Sequence, residues 1–198
     1  MSKQEFLDLG RQPIANRFLN KDEFEDEFFY NLKVGFDTET CLVTHIDYVD
    51  APMMFNDEYS YRGSMSATMR NHFSRFSNDI KRTLPITPKV LEIGSNDGVF
   101  IKNWDTETSL AVEPCGNFAK ETNGYKTYNS FWTKDLANKI LVEQGDMDLV
   151  FSANCMCHIP DLDEAFSAVE SILSLNGVFV FEDPSLAEMI NVNSYDPI

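Results

Sequence analysis

From Val90 onward the chain alternates short apolar runs with stretches in which apolar residues recur every three or four positions. Short apolar runs bounded by turn residues suit strands buried on both faces, and the longer period suits amphipathic helices. The pattern predicts strands over 89–94, 109–113, 125–129, 147–154 and 177–182, with helices over 116–123, 133–144 and 161–175. Gly124, Gly145 and Gly177 stand where these helices are expected to stop. Strand and helix in alternation call for a parallel sheet with helices on both faces. The expected fold class is therefore α/β, with a Rossmann-like sheet of five parallel strands. Upstream the period changes to two: Tyr30, Leu32, Val34 and Phe36, then Leu42, Thr44, Ile46 and Tyr48, predict a hairpin that needs another surface to bury its apolar face. Between Ser66 and Leu84, Met69, His72, Phe73, Phe76 and Ile80 fall at helical steps before Pro85, which predicts an amphipathic helix with a core-facing stripe. Three segments are expected: a hairpin module over 1–50, a helical linker or lid over 51–86, and the α/β domain over 87–198.

Candidate chemistry concentrates in Val90-Leu91-Glu92-Ile93-Gly94-Ser95-Asn96-Asp97-Gly98. A buried strand ends there in a loop bracketed by Gly94 and Gly98, which lack a β-carbon and let backbone lie against a ligand. A dinucleotide site wants G-x-G-x-x-G, whereas this loop reads G-x-x-x-G with acids at Glu92 and Asp97, which repel a pyrophosphate. Acids suit a ligand carrying a cation and free hydroxyls, as S-adenosylmethionine does. Glu113 closes the next apolar run 21 residues past Glu92, near the ~20-residue offset at which an acid meets a ribose diol. Another nucleotide-binding α/β domain is the alternative.

Composition narrows the classes. A hydrophobic content of 43% excludes a disordered chain, and a formal charge of −16 without any basic run argues against a nucleic-acid groove. No stretch approaches the ~18 apolar residues of a membrane span, and Met1–Glu5 leads into no signal-peptide core. Cys41, Cys115, Cys155 and Cys157 form no disulfide framework. A cytoplasmic protein with reduced thiols is expected.

VLEIGSNDG, VEPCGNFA at 112–119, CHIP at 157–160 and GVFVFEDPSL at 177–186 resemble the S-adenosylmethionine-dependent C-methyltransferases of deoxysugar biosynthesis, which methylate C3 of nucleotide-linked keto sugars. LGRQPIANRF at 9–18 and EYSYRGSMSATMRNHF at 58–73 extend the resemblance over nearly the whole chain. It implies a class I methyltransferase in which a base removes the proton beside the ketone and the enolate carbon takes the methyl. It implies that Glu92, Gly94, Asn96, Asp97, Gly98 and Glu113 hold the donor, that Ser130 and Phe131 lie near adenine, and that Asn154 follows strand four at the ligand edge. His158, with Tyr59 or Tyr61, is implied to assist proton removal at the sugar. Plainer readings stand beside these: a turn-stabilising Asp97, a structural His158 ahead of a helix start, packing tyrosines, and Cys155 and Cys157 as small buried residues sharing one strand face rather than metal ligands.

Two departures from the family follow. Its N-terminal module carries two C-x-x-C pairs for zinc, and here Asp37 and Thr40 occupy the second pair's positions. A tetrahedral thiolate site cannot be assembled, so no zinc is expected and packing must hold the hairpin. The family also continues past the FEDP-like turn into a segment bearing its principal base, two more strands and a sugar-nucleotide domain, whereas this sequence stops at Ile198. The expectation is a truncated sheet whose last strand has an open edge. A second polypeptide that completes the enzyme, a donor-binding module with poor turnover, a rebuilt active site, and a methyltransferase for another small acceptor all remain open.

Overall fold

In a computed structural model, residues 3–122 and 124–194 are described. Predictions touching Asn123 and 195–198 lie outside them. Contacts divide the chain into two units, Met1–Tyr61 and Arg62–Ile198, so the segment expected as a linker over 51–86 is shared between them.

The N-terminal unit is a three-stranded antiparallel sheet, β1 (Lys3–Pro13), β2 (Phe29–Asp37) and β3 (Val43–His45), in that order, followed by a single helical turn, α1 (Ala51–Met54). The predicted hairpin is β2–β3, with Leu32 and Val34 buried. β1 is new relative to the sequence reading. Its pairing with β2 slips between Glu5 and Leu7 and again between Asp8 and Arg11, and Gly10 has φ +72°. Two slips erase the period of two by which a strand is recognised. The acidic run forms a 3-10 helix, Lys21–Asp26, without a buried residue, and the Asn20 N–H donates to Glu23 at 2.7 Å.

The second unit begins with α2 (Ala67–Lys81), whose N-cap Ser66 accepts the Met69 N–H. Its five parallel strands are β4 (Val90–Ile93), β5 (Ser109–Val112), β6 (Lys126–Tyr128), β7 (Met147–Ala153) and β8 (Leu173–Glu182), in the order β6-β5-β4-β7-β8. The helices between and after them are α3 (Gly116–Ala119), α4 (Lys134–Gln144), α5 (Leu162–Ile172) and α6 (Leu186–Val192). The α/β class is as expected. Alternate strand residues feed two cores. On one face Leu91, Ile93 and Val150 pack with Ile140 of α4 and Val169 of α5. On the other, Val90, Leu149 and Phe151 pack with Phe73 and Ile80, the predicted stripe of α2.

The β4–β5 connection contains a 3-10 turn, Ile101–Asn103. Two local predictions need correction. α5 stops at Ile172 and β8 starts at once, so Gly177 lies inside a strand instead of ending a helix. A β-carbon there would sit 2.6 Å from the Met147 carbonyl oxygen, which explains the glycine by close backbone approach. β7 ends at Ala153, and Met156–His158 is a 3-10 turn, so Cys155 and Cys157 do not alternate along a strand: Cys155 is half-buried and Cys157 exposed. Among the described strands β8 pairs with β7 alone, leaving its outer edge open. Among the described residues no helix is long and apolar enough to cross a membrane.

Candidate functional site

The strand order reverses between β4 and β7: from β4 the chain builds outward through β5 and β6, then returns to the other side for β7 and β8. Open parallel sheets bind ligands at the carboxyl edge of such a reversal, where two loops part in opposite directions. The loops here are 94–100, after β4, and 154–160, after β7. They touch at Gly94, where an added β-carbon would stand 2.7 Å from Cys155 Sγ. Gly94, Asn96 and Gly98 all have positive φ (73°, 49° and 81°), as does Asn154 (49°), so both loops turn sharply away from the strand direction.

The glycine loop is held from three sides. Gly94 and Ser95 donate their N–H groups to the Val112 carbonyl at 2.9 and 3.1 Å, locking the loop to β5. Glu113, just past β5, is 4% exposed and bridges two turns: one oxygen accepts the Asn96 N–H at 2.6 Å, the other the Cys115 N–H at 2.8 Å. Burial raises its pKa above the usual carboxylate value, and the two N–H donors oppose that rise. From the third side comes the segment before α2. Gly63 N–H donates to Asn96 Oδ1 at 3.0 Å, and Ser64 gives Asp97 both its N–H (3.1 Å) and its hydroxyl (2.6 Å). Arg62 pairs with Glu121 and lies over the Phe118 ring.

The sequence-predicted residues therefore separate into groups. Glu92, 3% exposed, turns its carboxyl to the Ile101 N–H at 2.9 Å, and burial holds its pKa well above the ordinary range. Asp97 is turned toward Ser64. Both carboxyls hold the loop's shape. Gly94, Asn96, Gly98 and Glu113 lie together around the loop. Ser130 and Phe131 follow β6, where the Ser130 hydroxyl meets the Phe131 carbonyl at 3.2 Å. Asn129, not singled out by the sequence, ties that turn to the site through its amide, which donates to the Glu113 and Pro114 carbonyls. Asn154 lies after β7, its N–H on the Glu182 carbonyl at 2.7 Å. His158 ends the 3-10 turn in that loop; burial lowers its pKa, and the Asp183 charge works the other way. Tyr59 and Tyr61 belong to the N-terminal unit, where Tyr59 meets Phe55 edge to face at 5.4 Å.

The residues present suit a nucleoside with a charged tail. A carboxylate offers about four acceptor positions, and the Asn96 N–H, the Cys115 N–H and the Cys115 thiol take three of those on Glu113, which leaves one for a hydroxyl. Ser95 Oγ is buried within the loop with no hydrogen-bond partner among the described residues. At Gly94 the missing β-carbon makes room for Cys155, and at Gly98 for Lys102 and Thr122, so the glycines let the loop pack closely on its neighbours.

A fold and a carboxyl-edge loop site of this kind define a class, and the chain belongs to the methyltransferase domain family, whose model matches residues 61–195. The C-methyltransferase NovU of Streptomyces niveus is 26% identical over 199 aligned positions, covering 97% of this chain and 47% of that protein. The chain thus spans about half the length of this curated relative. Two solved structures, both S-adenosylmethionine-dependent methyltransferases, overlap the chain. The one from Archaeoglobus fulgidus is 22% identical with TM-score 0.48, covering 62% of this chain and 57% of its own. The one from Clostridium acetobutylicum is 20% identical with TM-score 0.48, covering 62% and 54%.

Residues 1–55 match a family described as a putative zinc binding domain. The donor set here does not fit that metal. Cys41 is the one cysteine in this stretch, and among the described residues no three His, Cys, Asp or Glu side chains are grouped so that they could hold a metal ion. Asp37 instead accepts the Glu39 and Thr40 N–H groups at 2.9 and 3.3 Å, closing the β2–β3 turn with a carboxylate.

Proposed function

We propose that this chain is the donor-binding domain of an S-adenosylmethionine-dependent C-methyltransferase that acts on a nucleotide-linked keto-deoxysugar. The observation that carries the reading is the junction of the two carboxyl-edge loops at Gly94 and Cys155, beside a buried Glu113 that braces the glycine loop. Support for the reaction comes from the name of the Streptomyces niveus relative, a C-methyltransferase, and support for the sugar comes from the sequence resemblance.

When bound, S-adenosylmethionine supplies a methyl group on a positively charged sulfur. The protein's part is to orient and to handle a proton. Gly94, Asn96 and Gly98 would cradle the donor's backbone-proximal end, Glu113 would accept from a ribose hydroxyl, and Ser130 and Phe131 would border its base. Glu92 and Asp97 act one step back, by holding the loop. Asn154 and His158, on the facing loop, would meet the acceptor, with Tyr59 or Tyr61 assisting proton removal as the resemblance implies. Burial favours the neutral imidazole of His158, which can hydrogen-bond the acceptor without adding a charge.

Isothermal titration tests the donor half of the proposal. S-Adenosylmethionine and its demethylated product should bind at micromolar Kd, and NADH should not. No heat from either methyl compound, or saturable NADH binding in their place, refutes it. A second reading is a donor-binding module that needs a partner for activity. Micromolar binding without turnover of a nucleotide-linked keto-deoxysugar supports that version.

A further inference from the structure

Methyl transfer from a sulfonium to a neutral acceptor releases one proton, so the acceptor side of the site needs a base whatever the acceptor is. Two adjacent acids stand at the end of β8, Glu182 as its last residue and Asp183 just past it, and they address different partners. Asp183 is turned toward the His158 loop, where its charge is felt by that imidazole. Glu182 reaches the α2 face and meets His72 of the helix, Nε2 to Oε2 at 2.7 Å, across 110 residues of sequence.

The geometry around His72 is that of an oriented base. One ring nitrogen is fixed by the Glu182 carboxylate, which selects the Nε2–H tautomer and leaves the Nδ1 lone pair available. The ring stacks on Phe76, 16° from parallel with centroids 5.7 Å apart, and leans on Phe73 at 5.0 Å. Its orientation is therefore set by contacts on two sides while 41% of the side chain stays open. Glu182 is joined to the acceptor-side loop by its own backbone, since its carbonyl accepts the Asn154 N–H at 2.7 Å. The pair thus stands at the carboxyl edge next to the loop after β7. An ion pair serving only to pin α2 to the sheet is the plainer explanation, but the buried Phe73, Ile80, Phe100 and Phe151 already join them.

We propose that His72 is the base of the methyl-transfer step in this chain, with Glu182 as its positioning residue. The proposal rests on the methyltransferase reading given above and adds the proton acceptor to it. In the step, the acceptor C–H bond breaks and its proton passes to His72 Nδ1. The electron pair left on carbon forms the bond to the methyl group, and the methyl–sulfur pair departs with sulfur as a neutral thioether. Glu182 balances the imidazolium until solvent removes the proton. Without the donor, the same proton transfer reverses and exchanges the acceptor's C–H with solvent.

The test is that exchange, followed by proton NMR in deuterated water, with the 198-residue protein and a thymidine-diphosphate-linked 4-keto-6-deoxyhexose as probe. The intact protein should wash out the hydrogen beside the ketone. His72→Ala should slow washout ~10²-fold or more, the range expected for loss of a general base, and added imidazole should restore part of it. Glu182→Gln should slow it less, by ~10-fold, because the base remains but loses its orientation and counter-charge. Donor affinity and thermal midpoint of both variants should stay near those of the intact protein. Washout unchanged in His72→Ala, loss without imidazole rescue, or no washout by an intact protein that binds S-adenosylmethionine each overturns the base assignment. Failure to bind the donor at all overturns the methyltransferase reading instead.

Discussion

Gly94→Ala is the sharpest perturbation of the proposed site, because its two costs can be worked separately. Gly94 has φ +73°, and an L-residue held in that region loses about 1–2 kcal/mol to contact between its β-carbon and the neighbouring carbonyl. The new methyl would also stand 2.7 Å from Cys155 Sγ and 2.9 Å from Cys155 Cβ, so the loop after β7 must move. Overpacking of this kind costs about 1–3 kcal/mol. The expected destabilisation is about 2–5 kcal/mol, or roughly 5–15 °C in midpoint for a chain of this length. Urea unfolding followed by tryptophan fluorescence reads it directly, since both tryptophans, Trp104 and Trp132, are buried in the C-terminal unit. S-Adenosylmethionine affinity should weaken at least ~10-fold, because the two loops meet at this point. Adding Cys155→Ala removes the closer of the two atoms but leaves Cβ and the backbone cost, so the double variant should recover only part of the lost stability. A Gly94→Ala protein within ~0.5 kcal/mol of the parent, or complete recovery in the double variant, would show that the loops are not in contact as described.

Two further expectations concern the groups that hold the loop. The folded pKa of Glu92 lies above its unfolded value, so between the two the folded state binds more protons and unfolding free energy falls as pH rises from about 4.3 through the folded pKa. Glu92→Gln, which mimics the protonated form, should match the parent near pH 4 and become progressively more stable than it toward pH 8; parallel urea midpoints across that range would refute the assignment. Glu113 shifts in the same direction in both proteins, so the difference isolates Glu92. Ser64→Ala deletes the hydroxyl that donates to the Asp97 carboxylate at 2.6 Å, a bond to a charged acceptor worth about 1.5–3 kcal/mol. Asp97 keeps the Ser64 N–H, so the variant should fold, with a lower urea midpoint and weaker donor binding; an unchanged midpoint would mean that the segment before α2 does not brace the loop.

The periodicities that follow from local sequence were readable without coordinates. The apolar runs around Val90, Leu110 and Leu149 declare buried parallel strands, the stripe of Met69, Phe73, Phe76 and Ile80 declares a helix face, and Gly94 and Gly98 mark a tight loop, because strand, helix and turn each leave a short-range signature in residue type. Glu113 is singled out in the same way, by its distance along the chain from Glu92. Features that depend on what lies across space left no such mark. The two slips in β1 hid a whole strand, since pairing tolerates an extra residue that the period does not. Gly177 looked like a helix stop and is a point of backbone contact with Met147. Glu92 and Asp97 read as ligand acids, yet their carboxyls turn inward to Ile101 and Ser64, a choice made by which N–H groups the fold brings within reach. The pairing of His72 with Glu182 joins residues 110 apart, from a helix and a strand end whose adjacency exists only once the sheet has formed. Sequence specifies elements through neighbours along the chain; sites are assembled from neighbours across it, and only packing decides which those are.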